Sequence, residues 1–137
     1  MPNFVNWEDH FSVGSSDLDR QHRHLLKMCN TLGAIVSDGA ESQEDNFHEV
    51  LHELAEYSRQ HFMNEEHILE QVGYPNLQEQ RRDHLEYTKQ IAMVSYLAAT
   101  MEISDKVGLQ RFISNWWTEH ILVHDMQYRD FLLSKSL

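Results

Sequence analysis

The sequence predicts an all-α fold, an antiparallel up-down-up-down four-helix bundle preceded by an extended N-terminal arm. Three observations predict it. Apolar residues recur at three- and four-residue spacing in four separate stretches, glycine and proline are scarce and sit where those stretches stop, and the connections between stretches are short. Short connections make consecutive helices antiparallel neighbours.

The arm covers residues 1–16 and carries Trp7, Phe11 and Val13-Gly14-Ser15-Ser16 without helical periodicity, so it reads as an extended segment packed on a bundle of residues 17–137. The first stripe is Leu18, His22, Leu25, Cys29, Leu32 and Val36, ended by Asp38-Gly39. Ser42 with Asp45 resembles a capping box for the second, which runs Phe47, Leu51, Leu54, Ser58, His61, Glu65, Leu69 and Val72 and stops at Gly73-Tyr74-Pro75. The third runs Leu77, Gln80, His84, Tyr87 or Thr88, Ile91, Val94 or Ser95, and Ala98. Ser104-Asp105 can cap the fourth, which is Leu109, Phe112, Ile113, Trp116, His120 and Val123 or His124. There is no internal repeat, low-complexity tract or linker, so residues 1–137 are expected to form one domain.

Charge and composition narrow the function. A formal charge of -11 argues against nucleic acid, whose phosphates such a surface would repel. The single cysteine, Cys29, has no partner for an intramolecular disulfide, and Met1-Pro2-Asn3-Phe4 lacks the basic and then apolar run of a secretion signal. A cytoplasmic location is therefore expected. No apolar stretch approaches the roughly 20 residues a membrane span needs, so direct membrane insertion is not expected.

Chemistry enters with what the stripes carry. His22 lies on the first, His61 and Glu65 on the second, His84 on the third and His120 on the fourth. One inward histidine is ordinarily a core residue bonded to a backbone carbonyl. Four of them with a carboxylate are another matter, because a buried Glu65 without a cation would cost several kcal/mol, on the order of a buried charge left unpaired, and no Lys or Arg falls on these stripes. A metal is the economical partner. Imidazole nitrogen with carboxylate oxygen suits iron, and carboxylates can bridge two ions, so Glu65 and Asp125 among the histidines suggest a metal pair. His61 and Glu65, four apart, share a helix face. His120 and Asp125, five apart, stand about 140° out of phase in an ideal α-helix, and a single π-type turn between them would bring them together.

Over almost its whole length the chain resembles the bacterial hemerythrins, oxygen-binding di-iron four-helix bundles. The matching stretches are Trp7 with Val13-Gly14, Asp19-Arg20-Gln21-His22 with Leu25, His61-Phe62-Met63-Asn64-Glu65-Glu66, Tyr74-Pro75, His84, and Trp116 through Asp125 with Tyr128. The resemblance implies a cofactor of two non-haem iron ions (Fe2+/Fe3+) with an oxo or hydroxo bridge. By it, His22 and His61 would bind one iron, His84 and His120 the other, and Glu65 and Asp125 would bridge them.

The chain departs from the family pattern at two positions. Where the family places a further histidine, four residues before the one matched by His84, this chain has Gln80, whose amide oxygen is a weak ligand beside imidazole. Gln80 is expected to hydrogen-bond a water or a neighbouring ligand, leaving an exchangeable position on each iron. Trp117 stands where a leucine commonly follows the tryptophan matched by Trp116; Trp116 and Trp117 are expected at the oxygen pocket, with plain core packing the alternative for Trp117.

The other histidines carry less. His48 and His52 lie beside the stripe, His24 is about 200° from His22 and should face outward, His10 and His67 show no partner, and His124 could support Asp125. Glu49-Val50-Leu51-His52 matches one Glu-x-x-His element of ferritin-like bundles, but a second such element is missing. The resemblance implies a dioxygen-binding domain without catalytic residues. Sensing of oxygen or redox state ranks first, as the input domain of a signalling protein such as a diguanylate cyclase or chemotaxis receptor, with a fused or neighbouring output domain as partner. Oxygen storage or carriage ranks second, and an enzyme processing peroxide or nitric oxide third. Small anions or imidazole are expected as exogenous iron ligands.

Overall fold

Helices form where the apolar stripes lie. The computed structural model of the chain describes residues 5–38, 43–98 and 106–135, the side chains of Val94, Ala98 and Lys135 excepted. Helix α1 spans Ser16–Asp38, α2 Glu44–Gln71 and α3 Leu77–Ala98. The fourth helix is a continuous run of α4, Val107–Glu119, a π-helical turn, His120–Asp125, and α5, Met126–Lys135. The caps read at Ser42 and Ser104-Asp105, and Gly39 after α1, lie outside the described residues.

Acidic side chains open α1 at Asp17 and Asp19, where they complement the helix dipole. Asp19 also ties down the arm: it accepts the Val13 N–H at 2.9 Å and the Ser12 hydroxyl at 2.6 Å. Asn30 grips the arm further back, accepting the Val5 N–H and donating to the Val5 carbonyl. The arm is not wholly extended, since Asp9–Phe11 forms a 3₁₀ turn that tucks Phe11 into the core. At the other end of α2, Gly73 takes φ 72°, and the Tyr74 N–H reaches back to the Leu69 carbonyl at 2.9 Å, a left-handed stop that few residues but glycine accept.

All six residues of the first stripe are buried, as are Phe47 through Leu69 of the second, while Val72 is half-buried. On α3 Tyr87 is buried and Thr88 exposed, which settles that pair. The fourth stripe is rotated by about one residue from the reading above. Gln110, Ile113, Ser114 and Trp117 face inward, whereas Phe112 and Val123 are exposed and Leu109 and Trp116 half-buried. Hydrogen bonding explains the rotation: the Gln110 amide donates to the Cys29 carbonyl and to Ser114 Oγ, and the Trp117 indole donates to Tyr87, so polar groups that the apolar pattern leaves out are satisfied inside.

Helix α1 packs on α2 and α4, and α2 packs on α3, the neighbour order of an antiparallel four-helix bundle. Two apolar clusters form. One contains Leu25, Phe62, Tyr87, Trp117 and Ile121, the other Leu18, Leu69, Tyr74 and Tyr128. On α1 His22 falls between Leu18 and Leu25, on α2 Glu65 falls between Phe62 and Leu69, and in the fourth helix Asp125 falls between Ile121 and Tyr128. The polar layer is thus held between two apolar ones.

Candidate metal centre

His22, His61, Glu65, His84, His120 and Asp125 converge in that layer, each at most 3% exposed. They form two donor sets, one of His22, His61, Glu65 and Asp125 and one of Glu65, His84 and His120. The carboxylates face both ways. Glu65 Oε1 lies 2.8 Å from His84 Nε2 and 3.7 Å from His120 Nε2, while its Oε2 lies 3.5 Å from His22 Nε2 and 3.4 Å from His61 Nε2. Asp125 turns Oδ2 to His22 Nε2 and Oδ1 to His120 Nε2, 3.0 Å in each case. Asp125 reaches this place because the π-turn, with more residues per turn, takes out the excess rotation that five α-helical residues would carry past one full turn.

Acceptors behind the rings fix three imidazoles. The Nδ1–H of His61 donates to Gln21 Oε1 at 2.6 Å, that of His84 to Glu66 Oε2 at 2.7 Å and that of His120 to Asp83 Oδ2 at 2.7 Å. With the proton on Nδ1, each Nε2 presents a lone pair to the centre. Lone pairs then meet anionic oxygens: His84 Nε2 stands 2.8 Å from Glu65 Oε1 and His120 Nε2 3.0 Å from Asp125 Oδ1, and Glu65 Oε1, His84 Nε2, His120 Nε2 and both Asp125 oxygens make no hydrogen bond among the described residues. Such an arrangement requires positive charge at two neighbouring points, so the residues fit a pair of cations.

In the metal-free chain protons must serve instead. Burial lowers the basicity of His22, but Asp125 and Glu65 outweigh it and push His22 up to about 9. His120 is raised well above the usual range against its burial by Asp125, Asp83 and Glu65, and His84 is raised against its burial by Glu65 and Glu66. Burial keeps His61 low. Glu65 is held well below the carboxylate range, against its burial, by the surrounding imidazoles. Tyr128 donates its hydroxyl to Glu65 Oε2 at 2.8 Å, and burial together with the nearby carboxylates keeps that proton in place.

Rings wall the layer. Trp116 stacks on His120 at 4.6 Å and 13°, Phe62 stacks on His84 at 4.0 Å and 13°, and Trp117 is fully buried against Phe62. Trp117 is a core residue that also meets His61 and His120 edge-on, at 5.8 and 5.7 Å. A cleft of about 130 Å³ lined by Asp83, Trp116, Glu119, His120 and His124 leads from the surface to His120.

Gln80 is buried at 4% exposed, and its carboxamide N–H donates to the backbone carbonyl of His124 at 3.2 Å. His124 lines the clefts, its ring 6.0 Å from that of His120. His24, His52, His10 and His67 are exposed, and His48 pairs with Glu44. Sequence reasoning assigned no role to Gln21, Glu66, Asp83 or the Tyr128 hydroxyl. Each acts across a helix interface, which periodicity within one helix cannot register; the signals in the sequence were a polar residue flanking an inward ligand, as at Gln21, Glu66 and Asp83, and the presence of Gln21, Glu66 and Tyr128 in the stretches that resemble the hemerythrins.

Fold and site together define a metal-binding four-helix bundle built to hold neighbouring cations. Residues 13–132 match the family model described as the Hemerythrin HHE cation binding domain, and the chain belongs to that hemerythrin family, whose members bind a di-iron centre. It is 31% identical over 125 residues to a bacteriohemerythrin of Stenotrophomonas maltophilia, covering 90% of this chain and 78% of the relative. A bacteriohemerythrin of Clostridium acetobutylicum is 27% identical over 128 residues, covering 90% and 98%. The crystal structure of a wild-type hemerythrin has the same fold, with a TM-score of 0.81 at 22% identity, covering 96% of this chain and 99% of that one.

Proposed function

We propose that the chain binds two irons and, through them, dioxygen, with His22 and His61 on one iron, His84 and His120 on the other, and Glu65 and Asp125 bridging. The observation that carries this reading is that each carboxylate turns one oxygen to each donor set. When bound, the iron pair supplies the dioxygen affinity and the change of oxidation state. The protein's own part is to orient the imidazoles through Gln21, Glu66 and Asp83, to keep a proton on Tyr128 beside Glu65, and to exclude bulk water with Phe62, Trp116 and Trp117.

Within this reading the role is sensing of oxygen or redox state, as an input to a signalling output module, rather than durable carriage. Gln80 in the place of a family histidine supports it. A metal with one imidazole fewer keeps a position open to water, small anions or imidazole, which favours oxidation over a long-lived oxygen complex. Storage or carriage is the second reading, favoured by the likeness to bacteriohemerythrins.

Metal analysis tests the first part: two irons per chain are expected in protein folded with ample ferrous iron, and Glu65→Ala should lose the pair. One metal or none in the unaltered chain overturns it. For the second part, the diferrous protein is mixed with air and followed by absorption. Rapid oxidation with little reversible adduct, slowed by Gln80→His, is expected; a durable complex that releases oxygen under vacuum makes carriage the better reading.

A further inference from the structure

Two α3 side chains hold the π-turn, one at each end. Asp83 accepts from the His120 ring, on the turn's first residue, and Gln80 donates to the backbone carbonyl of His124, on its fifth. Gln80 and Asp83 are three apart, so they share one face of α3, and His84 follows on the same face. A π-turn is less favourable than the α-helix around it and persists where neighbours hold it. Here it must persist, because His120 and Asp125 reach one centre only where the wider turn brings residues five apart onto one face.

The orientation of the carboxamide follows from chemistry. A carbonyl oxygen accepts and cannot donate, so the atom of Gln80 facing His124 is nitrogen, and Oε1 is the buried atom left without a hydrogen bond among the described residues.

We infer that Gln80 is a positioning residue: its amide N–H clamps the π-turn through the His124 carbonyl and so sets the register of His120 and Asp125 at the centre. For its effect on metal, the inference rests on the ligand reading given above. It deepens that reading by giving Gln80 a task of its own in place of the ligation the family histidine would provide.

Gln80→Glu and Gln80→Met separate the possibilities. Ionised glutamate keeps the shape and a ligating oxygen but has no hydrogen to donate to a carbonyl; methionine removes the donor at any protonation state without adding buried charge, and serves if the glutamate variant does not fold or is protonated. Amide exchange is read in the full chain as purified, with metal content measured on the same sample. Both variants are expected to speed exchange in 120–126 by about five- to tenfold, the factor that loss of one hydrogen bond of about 1 kcal/mol gives, with exchange in α1 unchanged. They should also shift the iron absorption bands and release iron faster to a chelator. Exchange in Gln80→Met within about twofold of the unaltered chain overturns the clamp. Slower iron release from Gln80→Glu also overturns it, since a carboxylate would then be improving on an amide ligand. The exchange arm does not depend on iron, so its failure is distinct from a chain that fails to take up metal.

Discussion

At the scale of single residues, the layer between the apolar clusters shows how burial selects chemistry. The same burial that gives the six donor residues their demand for cations makes Cys29 inert. Its thiol is 2% exposed and burial pushes it up to about 12, so almost none is thiolate at ordinary pH. The folded chain at pH 8 should resist alkylation by iodoacetamide and become reactive on unfolding in urea; prompt labelling of the native form would contradict the burial argument. The sign of the pH linkage follows. Between about 9 and about 12 the unfolded thiol loses its proton while the folded one keeps it, so the unfolded state binds fewer protons and stability falls as pH rises through that window.

At the scale of elements, local backbone geometry decides where helices stop and how the arm enters. Gly73 has a φ of 72° and open space around its missing Cβ, so Gly73→Ala is charged only with the left-handed conformation, about 1–2 kcal/mol. Gly14 has a φ of 87°, and a Cβ there would stand 3.1 Å from Leu133 Cγ. Gly14→Ala should therefore cost at least as much as Gly73→Ala and should loosen the arm against α5. Urea midpoints of the two variants check this, and a Gly14→Ala midpoint above that of Gly73→Ala would reverse the expected order. The π-turn is the other local device. Its presence follows from the five-residue spacing of His120 and Asp125 once both must face one centre.

Across the whole molecule, the bundle buries a layer of charge that protons alone satisfy poorly, so metal and fold should be linked. A ligand present at about a thousand times its dissociation constant adds about 4 kcal/mol, and for a chain of this size that moves the melting temperature by roughly 10 °C or more. Stripping the iron with a chelator should lower the midpoint by that order, and restoring ferrous iron should recover it. Equal midpoints with and without metal would separate the fold from the centre. Among the described residues no helix is long and apolar enough to cross a membrane.

Much of this was legible in the chain because it depends on period and spacing. Four apolar stripes specify four helices, the glycine before Tyr74-Pro75 specifies a stop, and five candidate ligands on inward faces, His22, His61, Glu65, His84 and His120, specify a buried polar centre, since each property is carried within a single helix. What the chain could not disclose lies between helices. The rotation of the fourth stripe came from the bonds of Gln110 and Trp117 to other elements. The acceptors that orient His61, His84 and His120 sit on α1, α2 and α3, each on a different helix from its ring. Gln80 read as a missing ligand, yet its donor goes to a backbone carbonyl 44 residues away. Apolar burial repeats along a helix and leaves a pattern, whereas a hydrogen bond across an interface is set by the approach of two surfaces and leaves no period in either strand of sequence.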